Sequence, residues 1–320
     1  MKPTWRRLLF LLVVMTGLLA AGCGGDDDDG EAAGDTGAAT TAASTSGSAA
    51  AKPAIVLGTK NFTEQYVLGE LYRQALEAKG YDVTLKSDIG STEIIDAALT
   101  SGEINVYPEY TGTALTVVFG EPSSKGTAEE TYEAAKAKYE ERGQALYAMT
   151  PFSDSDAIAV TLDLARKYSL KSLDDLKKVP DLSLGGQPEF RTRVQGLPGL
   201  VKNYGLTDVK FVPFAGISPY EALDSNKVDA AAIFSTDPPL SSGNYVVLED
   251  PKAQFGFQNV APVVDQELAD AGGEELAAVF DAVSELLTDS AIITMNAAVA
   301  QNQQSPDDVA KAFLEANGLL

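Results

Sequence analysis

The sequence predicts an α/β protein of two similar lobes, on three observations. From residue 55 onward short apolar runs alternate with longer stretches of helical period, and the alternation restarts at Ala157 after an acidic helix. A chain of 320 residues that is 45% hydrophobic also holds enough apolar side chains for two moderate cores. Parallel pairing follows wherever strand, helix and strand succeed one another, because a parallel pair needs a crossover long enough to hold a helix.

In the first lobe Ile55-Val56-Leu57 reads as a buried strand and Gly58 to Asn61 as a turn. Asn61 with Glu64 three residues on fits a capping box for a helix whose apolar face is Leu68, Leu71, Tyr72, Ala75 and Leu76, ended by Gly80. Val83 and Leu85 mark the next strand. Ser91-Thr92 open a second helix through Ile94, Ile95, Ala98 and Leu99, and Gly102 closes it. Ile104-Asn105-Val106 is a third strand and leads into VYPEYTGT, residues 106–113. That string is expected where a strand ends and a helix over 111–119 begins, a junction at which backbone N–H groups point at ligands. Residues near a strand end alternate in direction, so Tyr107 and Tyr110 are not both expected to face a ligand; Tyr110 and Thr113 are the favoured pair and Tyr107 the packing residue. Residues 127–143 form an acidic surface helix.

The second lobe begins with a strand at Ala157 to Val160. A short helix capped by Ser172, a strand at 182–184, the string PEFRTRVQGLPGL, a strand at Lys210 to Pro213 and a helix from Ser218 follow. Val228 to Phe234, broken only by Asp229, is an almost uninterrupted apolar run of the kind covered on both faces, opening into Ser235-Thr236-Asp237. Strands at 245–248 and 260–264 precede two tail helices, Glu274 to Thr288 and one started by Ser305-Pro306-Asp307-Asp308 and stopped by Gly318.

Composition removes several functions. A net charge of −22 argues against nucleic-acid partners, which need a basic face. With no histidine and one cysteine, Ser-His-Asp and Cys-His chemistry, disulfides and cysteine-rich metal sites fall away. No GxGxxG or GxxxxGK[ST] pattern appears, and no cofactor is expected. Glu109, Asp156 and Asp237 are the acids an enzyme reading would draw on, without a spacing that pairs them.

At the start, Lys2, Arg6 and Arg7 precede an apolar run too short and interrupted for a spanning helix, as in a secretory signal. Leu19-Ala20-Ala21-Gly22-Cys23 resembles the bacterial lipobox, which implies cleavage before Cys23, its lipidation, and an extracytoplasmic protein anchored to the cell membrane. Apart from Glu31 and Lys52, residues 24–52 are Gly, Ala, Ser, Thr and Asp, the composition of a tether with a root-mean-square span of roughly 30 Å. Asp26 to Asp29 reads as a solvated charge run rather than a metal cluster.

Five strings then occur in order over about Ile55 to Val264: GTKNFTEQYVLGELY, GEINVYPEYTGT, GQPEFRTRVQGLPGL, PYEAL with KVDAAAIFSTD, and VVLED with APVV. Together they resemble the osmoprotectant-binding proteins of ABC transporters, the glycine betaine/choline/carnitine type. The resemblance implies a type II periplasmic-binding-protein fold, two α/β lobes joined by two crossing hinge segments. It divides the chain into a signal peptide (1–22), the lipidated Cys23 and tether (23–52), lobe 1 (53–153 plus 258–320) and lobe 2 (154–257). It also implies a monomer that captures a small cationic or zwitterionic solute and presents it to permease subunits, with no catalysis.

In that family a box of tyrosines surrounds a quaternary ammonium while lysine, arginine and threonine meet its carboxylate. Carried across, the lysine is Lys60, the threonine Thr113, the first box tyrosine Tyr110 and the arginine Arg193, with Arg191 as competitor. Three positions depart. Asp156 stands where a box tyrosine is expected, Phe234 keeps a ring without the hydroxyl, and Gln258 or its neighbour Phe257 stands at the last tyrosine. Two readings of Asp156 stay open: a specificity shifted toward a protonated amine or amino-acid-like ligand, because a carboxylate rewards N–H donors, or a solvated hinge residue beside a cage that still accepts betaines. A ligand sensor and an enzyme on the same fold are the remaining alternatives.

Overall fold

Each lobe is built on one five-stranded mixed sheet, and each sheet takes its antiparallel central strand from a segment that crosses over from the other lobe. The computed structural model describes residues 52–122, 126–214 and 216–320, which belong to a single unit. The expected signal segment, Cys23 and all of the tether except Lys52 lie outside the described residues.

The first lobe runs β1 (Ile55–Lys60), α1 (Thr63–Ala78), β2 (Val83–Gly90), α2 (Thr92–Thr100), β3 (Val106–Tyr110), α3 (Thr111–Thr113) continuing as a π-helical turn at Ala114–Val118, α4 (Ala128–Glu141) and β4 (Gln144–Leu146). The second lobe holds β5 (Asp156–Thr161), α5 (Leu162–Tyr168), a 3-10 turn at Leu173–Lys178, β6 (Ser183–Gly186), another at Pro188–Arg191, α6 (Leu197–Tyr204), β7 (Lys210–Pro213), α7 (Pro219–Asp224), β8 (Ala230–Phe234), a turn at Pro238–Ser242 and β9 (Tyr245–Val247). The chain returns with β10 (Val260–Asp265), α8 (Gln266–Ser284), α9 (Asp289–Ala300) and α10 (Pro306–Ala316). The strand orders are β2-β1-β3-β10-β4 and β7-β6-β8-β5-β9. Strands joined through helices pair in parallel, β1 with β2 and β6 with β7, as the crossover argument requires.

The two crossing segments are tied together between the sheets. Ser153 and Asn259 form an antiparallel bridge, the Asn259 amide donates to the carbonyls of Thr150 (3.0 Å) and Phe152 (3.1 Å), and Asp154 N–H donates to Gln258 O (3.1 Å). Both faces of each sheet are covered. In the first lobe α1, α8, α9 and α10 pack over one face, centred on Leu71, Tyr72 and Phe280, while α2 and α4 cover the other around Ile95, Tyr107 and Tyr139.

Pro108 and Pro262 face each other across β3 and β10. Neither has an N–H, so this is a position where no ladder bond runs between the two strands, and Pro108 offers no donor toward β1 either. Pairing of β1 with β3 is confined to Leu57 and Val106. Gln65 fills the gap beyond, donating to Pro108 O and accepting from Lys60 N–H, both at 3.2 Å. The strand ends that reach the interlobe space are therefore splayed and pinned by one amide.

Three sequence expectations change. The first strand does not turn at Gly58 but continues to Lys60, with Thr59 and Lys60 both buried. Asn61 does not cap α1; Phe62 holds the N-cap position, Asn61 is exposed, and Glu64 is turned into the interior. The tail has three helices, not two. The additional one, α9, carries apolar residues around much of its circumference and buries Ile292, Met295 and Asn296, so no single face announces it. The expected 274–288 helix begins earlier, at Gln266, with a break at Gly273 (φ 54°).

Helix α1 lies close to β1 at Gly69, where a Cβ would stand 2.4 Å from Thr59 Cγ2. We expect Gly69→Ala to destabilise the protein by about 1–3 kcal/mol in urea unfolding. Most of the loss should be recovered in the Thr59→Ser background, which removes that methyl; equal losses in both backgrounds would place the strain elsewhere.

Candidate functional site

A cavity of about 500 Å³ opens between the lobes where strand ends of the two sheets face each other. Its floor comes from the ends of β1 and β3 and from the start of α2; its opposite wall comes from β5, β8 and the loop around the 3-10 turn at Pro188–Arg191. Lys60, Tyr110, Thr113, Asp156, Arg193, Phe234 and Gln258, the seven candidates of the sequence, all line it. Arg191 is exposed and Phe257 is 36% exposed, and neither lines the cavity. Tyr107 is fully buried in the core between α2 and α4.

The aromatic surface is larger than the sequence indicated. Phe62 stacks on Phe234 of the other lobe at 5.4 Å and 18°, and on Tyr110 at 6.1 Å and 27°, so three rings form one row across the interlobe boundary. Phe190 and Phe214 add rings on the second-lobe side. Phe62 and Phe190 lie inside the strings GTKNFTEQ and PEFRTRVQG, and Phe214 immediately follows β7; position at an element end was the available signal.

Each cation of the site has a protein carboxylate against it. Lys60 is 3% exposed and pairs with Glu109, while its Nζ stands 4.8 Å from the centre of the Tyr110 ring. Burial pushes the Lys60 pKa down and Glu109 opposes that shift. The same Glu109 oxygen accepts Tyr110 N–H at 2.7 Å. Arg193 grips Glu93 of α2 with Nε–Oε1 3.2 Å and Nη2–Oε2 2.8 Å, a two-point contact between lobes. Against the push of burial, Arg193 and the Ser91 hydroxyl (2.7 Å) hold Glu93 down at about 2. Thr113 spends both its N–H (2.9 Å) and its hydroxyl (3.1 Å) on Gln258 Oε1.

Asp156 differs. It is half-buried at the first position of β5, opposite Phe234, and makes no hydrogen bond or ion pair with another described side chain. Burial pushes its pKa up to about 6, with Arg193 pulling the other way. Asp237, the third acid of the enzyme reading, lies outside the cavity lining and accepts from Tyr220 OH (3.0 Å) and Phe234 N–H (3.1 Å).

A second group of polar contacts joins the lobes beside the cavity. Buried Glu64 accepts from Tyr110 OH (2.9 Å), from Thr236 Oγ1 of the second lobe (2.7 Å) and from Asn296 Nδ2 of α9 (2.9 Å). Burial pushes its pKa up and those donors pull it back. Thr116 donates to Gln195 across the boundary at 2.9 Å. Glu93, Gln195 and Asn296 carried no sequence signal beyond being polar, and the spacing that marked Glu64 pointed to a helix cap, because each depends on a partner far away in the chain. Among the described residues no group of three His, Cys, Asp or Glu could hold a metal, and no helix is long and apolar enough to cross a membrane.

Residues 53–316 match the substrate-binding domain of the ABC-type glycine betaine transport system. The glycine-betaine-binding protein of Pseudomonas aeruginosa is 34% identical over 278 residues, which span 82% of this chain and 88% of that protein. The ergothioneine transport permease/ergothioneine binding protein EgtU of Helicobacter pylori is 28% identical over 268 residues, and there the match covers 83% of this chain but 48% of the relative. Among solved structures, a glycine betaine/carnitine/choline ABC transporter protein superposes with a TM-score of 0.68 at 25% identity, over 83% of this chain and 99% of that one. Two lobes with an aromatic cavity between them, and a family match running from the first strand to the last helix, identify the chain as a member of the family of substrate-binding domains of ABC-type glycine betaine transport systems, which are binding proteins and not enzymes.

Proposed function

We propose that this chain is the extracytoplasmic, lipid-anchored receptor of an ABC importer, and that it captures a small quaternary-ammonium or zwitterionic solute of the glycine betaine, choline and carnitine class between its lobes. The supporting observation is the ring row Tyr110–Phe62–Phe234, contributed by both lobes and lining one cavity. A trimethylammonium group donates no conventional N–H or O–H hydrogen bond, so aromatic faces are the surfaces that attract it, at roughly 0.5–2 kcal/mol per ring. In this reading Tyr110 and Phe234 contact the cation, Lys60, Thr113 and Arg193 face a ligand carboxylate when there is one, and Gln258 closes the cavity beside the crossing segments. Closure of the lobes around the solute presents it to the permease subunits as one body. Cys23 carries the anchor.

A second reading is favoured by Asp156, whose carboxylate reaches the cavity with no protein donor against it. Such a group rewards a ligand with N–H donors, so a protonated amine or amino-acid-like zwitterion is the alternative solute.

Calorimetry with glycine betaine, choline, carnitine and basic amino acids tests both. Micromolar or tighter binding of a quaternary ammonium, weakened about tenfold or more by Phe234→Ala and by Tyr110→Ala, is the expected result; binding of none of the panel would overturn the assignment. The pH dependence has a fixed sign. Asp156 is ionised above its pKa of about 6, so affinity for a cation should be full at pH 8 and fall as the pH drops through 6. Asp156→Asn should flatten that profile, and should cost a primary amine more than choline if the second reading holds. Fractionation of cells expressing the full chain checks the anchor: Cys23→Ser should move the protein from the membrane fraction to the soluble one.

A further inference from the structure

The three groups that the proposed function assigns to a ligand carboxylate each already meet an acceptor from the protein. Lys60 has Glu109, Thr113 has Gln258, and Arg193 has Glu93. The first pairing is buried and the second half-buried, and both are internal to the first lobe and its crossing segment. The third is different in kind, because Glu93 belongs to α2 of the first lobe, Arg193 to the second, and the Glu93 side chain is 49% exposed. It can be displaced into water, whereas Glu109 is buried.

The geometry decides what competes with what. Glu93 occupies the Nε and Nη2 donors of Arg193, the edge of a guanidinium that takes a carboxylate in two parallel hydrogen bonds. A solute carboxylate seeking that edge must displace Glu93 and release one tie between the lobes. A cation without a carboxylate leaves the pair intact and benefits from the closure it supports. The charge balance points the same way. With Lys60 and Arg193 each paired with a carboxylate of the protein, the acids left lining the cavity are Asp154, Asp156 and Glu189, with no described lysine or arginine paired to them, which favours a net cation over a neutral zwitterion.

We infer that Glu93, a residue outside the cavity lining, is a specificity determinant: by holding Arg193 across the lobe boundary it biases the site toward cationic solutes that lack a carboxylate and against betaine-type zwitterions. This rests on the proposed function and concerns only which solutes within it are preferred.

The test is Glu93→Gln in the full chain, titrated calorimetrically with choline and with glycine betaine at one pH and ionic strength. The choline-to-glycine betaine affinity ratio should fall about tenfold, the change expected when one charged competitor for a guanidinium is removed. Glu93→Asp, which keeps the charge, should hold the ratio closer to that of the wild type, and unchanged circular dichroism shows that the fold is retained. If Glu93→Gln weakens both ligands by the same factor, or moves neither, Glu93 is a closure contact or a surface ion pair and the inference is overturned. Wild-type protein that binds neither ligand overturns the proposed function itself, a result distinct from an unmoved ratio.

Discussion

The pairing of the two crossing segments is the constraint on which the rest of the molecule depends. Each sheet receives a central antiparallel strand directly from a crossing, β5 in one lobe and β10 in the other. The Asn259 amide, bonded to Thr150 and Phe152 carbonyls, therefore sets the register of both lobes at once. Site residues lie within a few positions of that junction. Asp156 opens β5, Gln258 directly precedes Asn259, and Tyr110 is the register partner of Val260. A shift of one residue where the crossing enters β5 would turn Asp156 to the opposite face of its sheet.

Buried charge is the second organising feature. An ammonium and a carboxylate carried into a protein interior are costly unless paired, and removing one partner leaves the other uncompensated. Lys60 and Glu109 meet this condition at the splayed ends of β1 and β3, where Pro108 and the Gln65 amide have opened room for them. Glu64 meets it with three neutral donors, one of them from the opposite lobe. The stability of the first lobe and its contact with the second are thus linked through polar groups rather than through a continuous apolar core, since each lobe keeps its own apolar clusters.

Much of this was legible in the sequence because it depends on local order. Apolar runs marked every strand of both sheets except the three-residue β4, and Ser172, Ser218 and Ser305 start helical turns where hydroxyl chemistry predicts; Ser218 and Ser305 each accept an N–H at 3.1 Å. Tyr110 and Thr113 were nameable from the strand-to-helix junction they occupy, where an open α/β sheet meets its ligands, whereas Lys60 and Phe234 entered through the resemblance of the surrounding strings. What remained hidden depends on separation in the chain. Nothing near Glu93 indicates Arg193, a hundred residues away, and nothing near Glu64 indicates Asn296. Asn61 looked like a cap because its spacing to Glu64 fits, yet Glu64 had a better use for its oxygens in the interior. Helix α9 escaped notice because it lacks a single apolar stripe.

The row of rings has a thermodynamic consequence. Phe62 lies against Phe234 of the facing lobe, and beside that contact Thr236 meets Glu64, Thr116 meets Gln195 and Arg193 meets Glu93. These attractions join the lobes protein to protein, so part of the driving force for shutting the cleft belongs to the chain and not to its cargo. Apparent affinity falls in proportion to the fraction of molecules unable to bind, and a receptor that tips its own conformational balance toward the shut form keeps that loss small. Parting the lobes breaks those same contacts, so part of the barrier to opening lies in the protein's own seam.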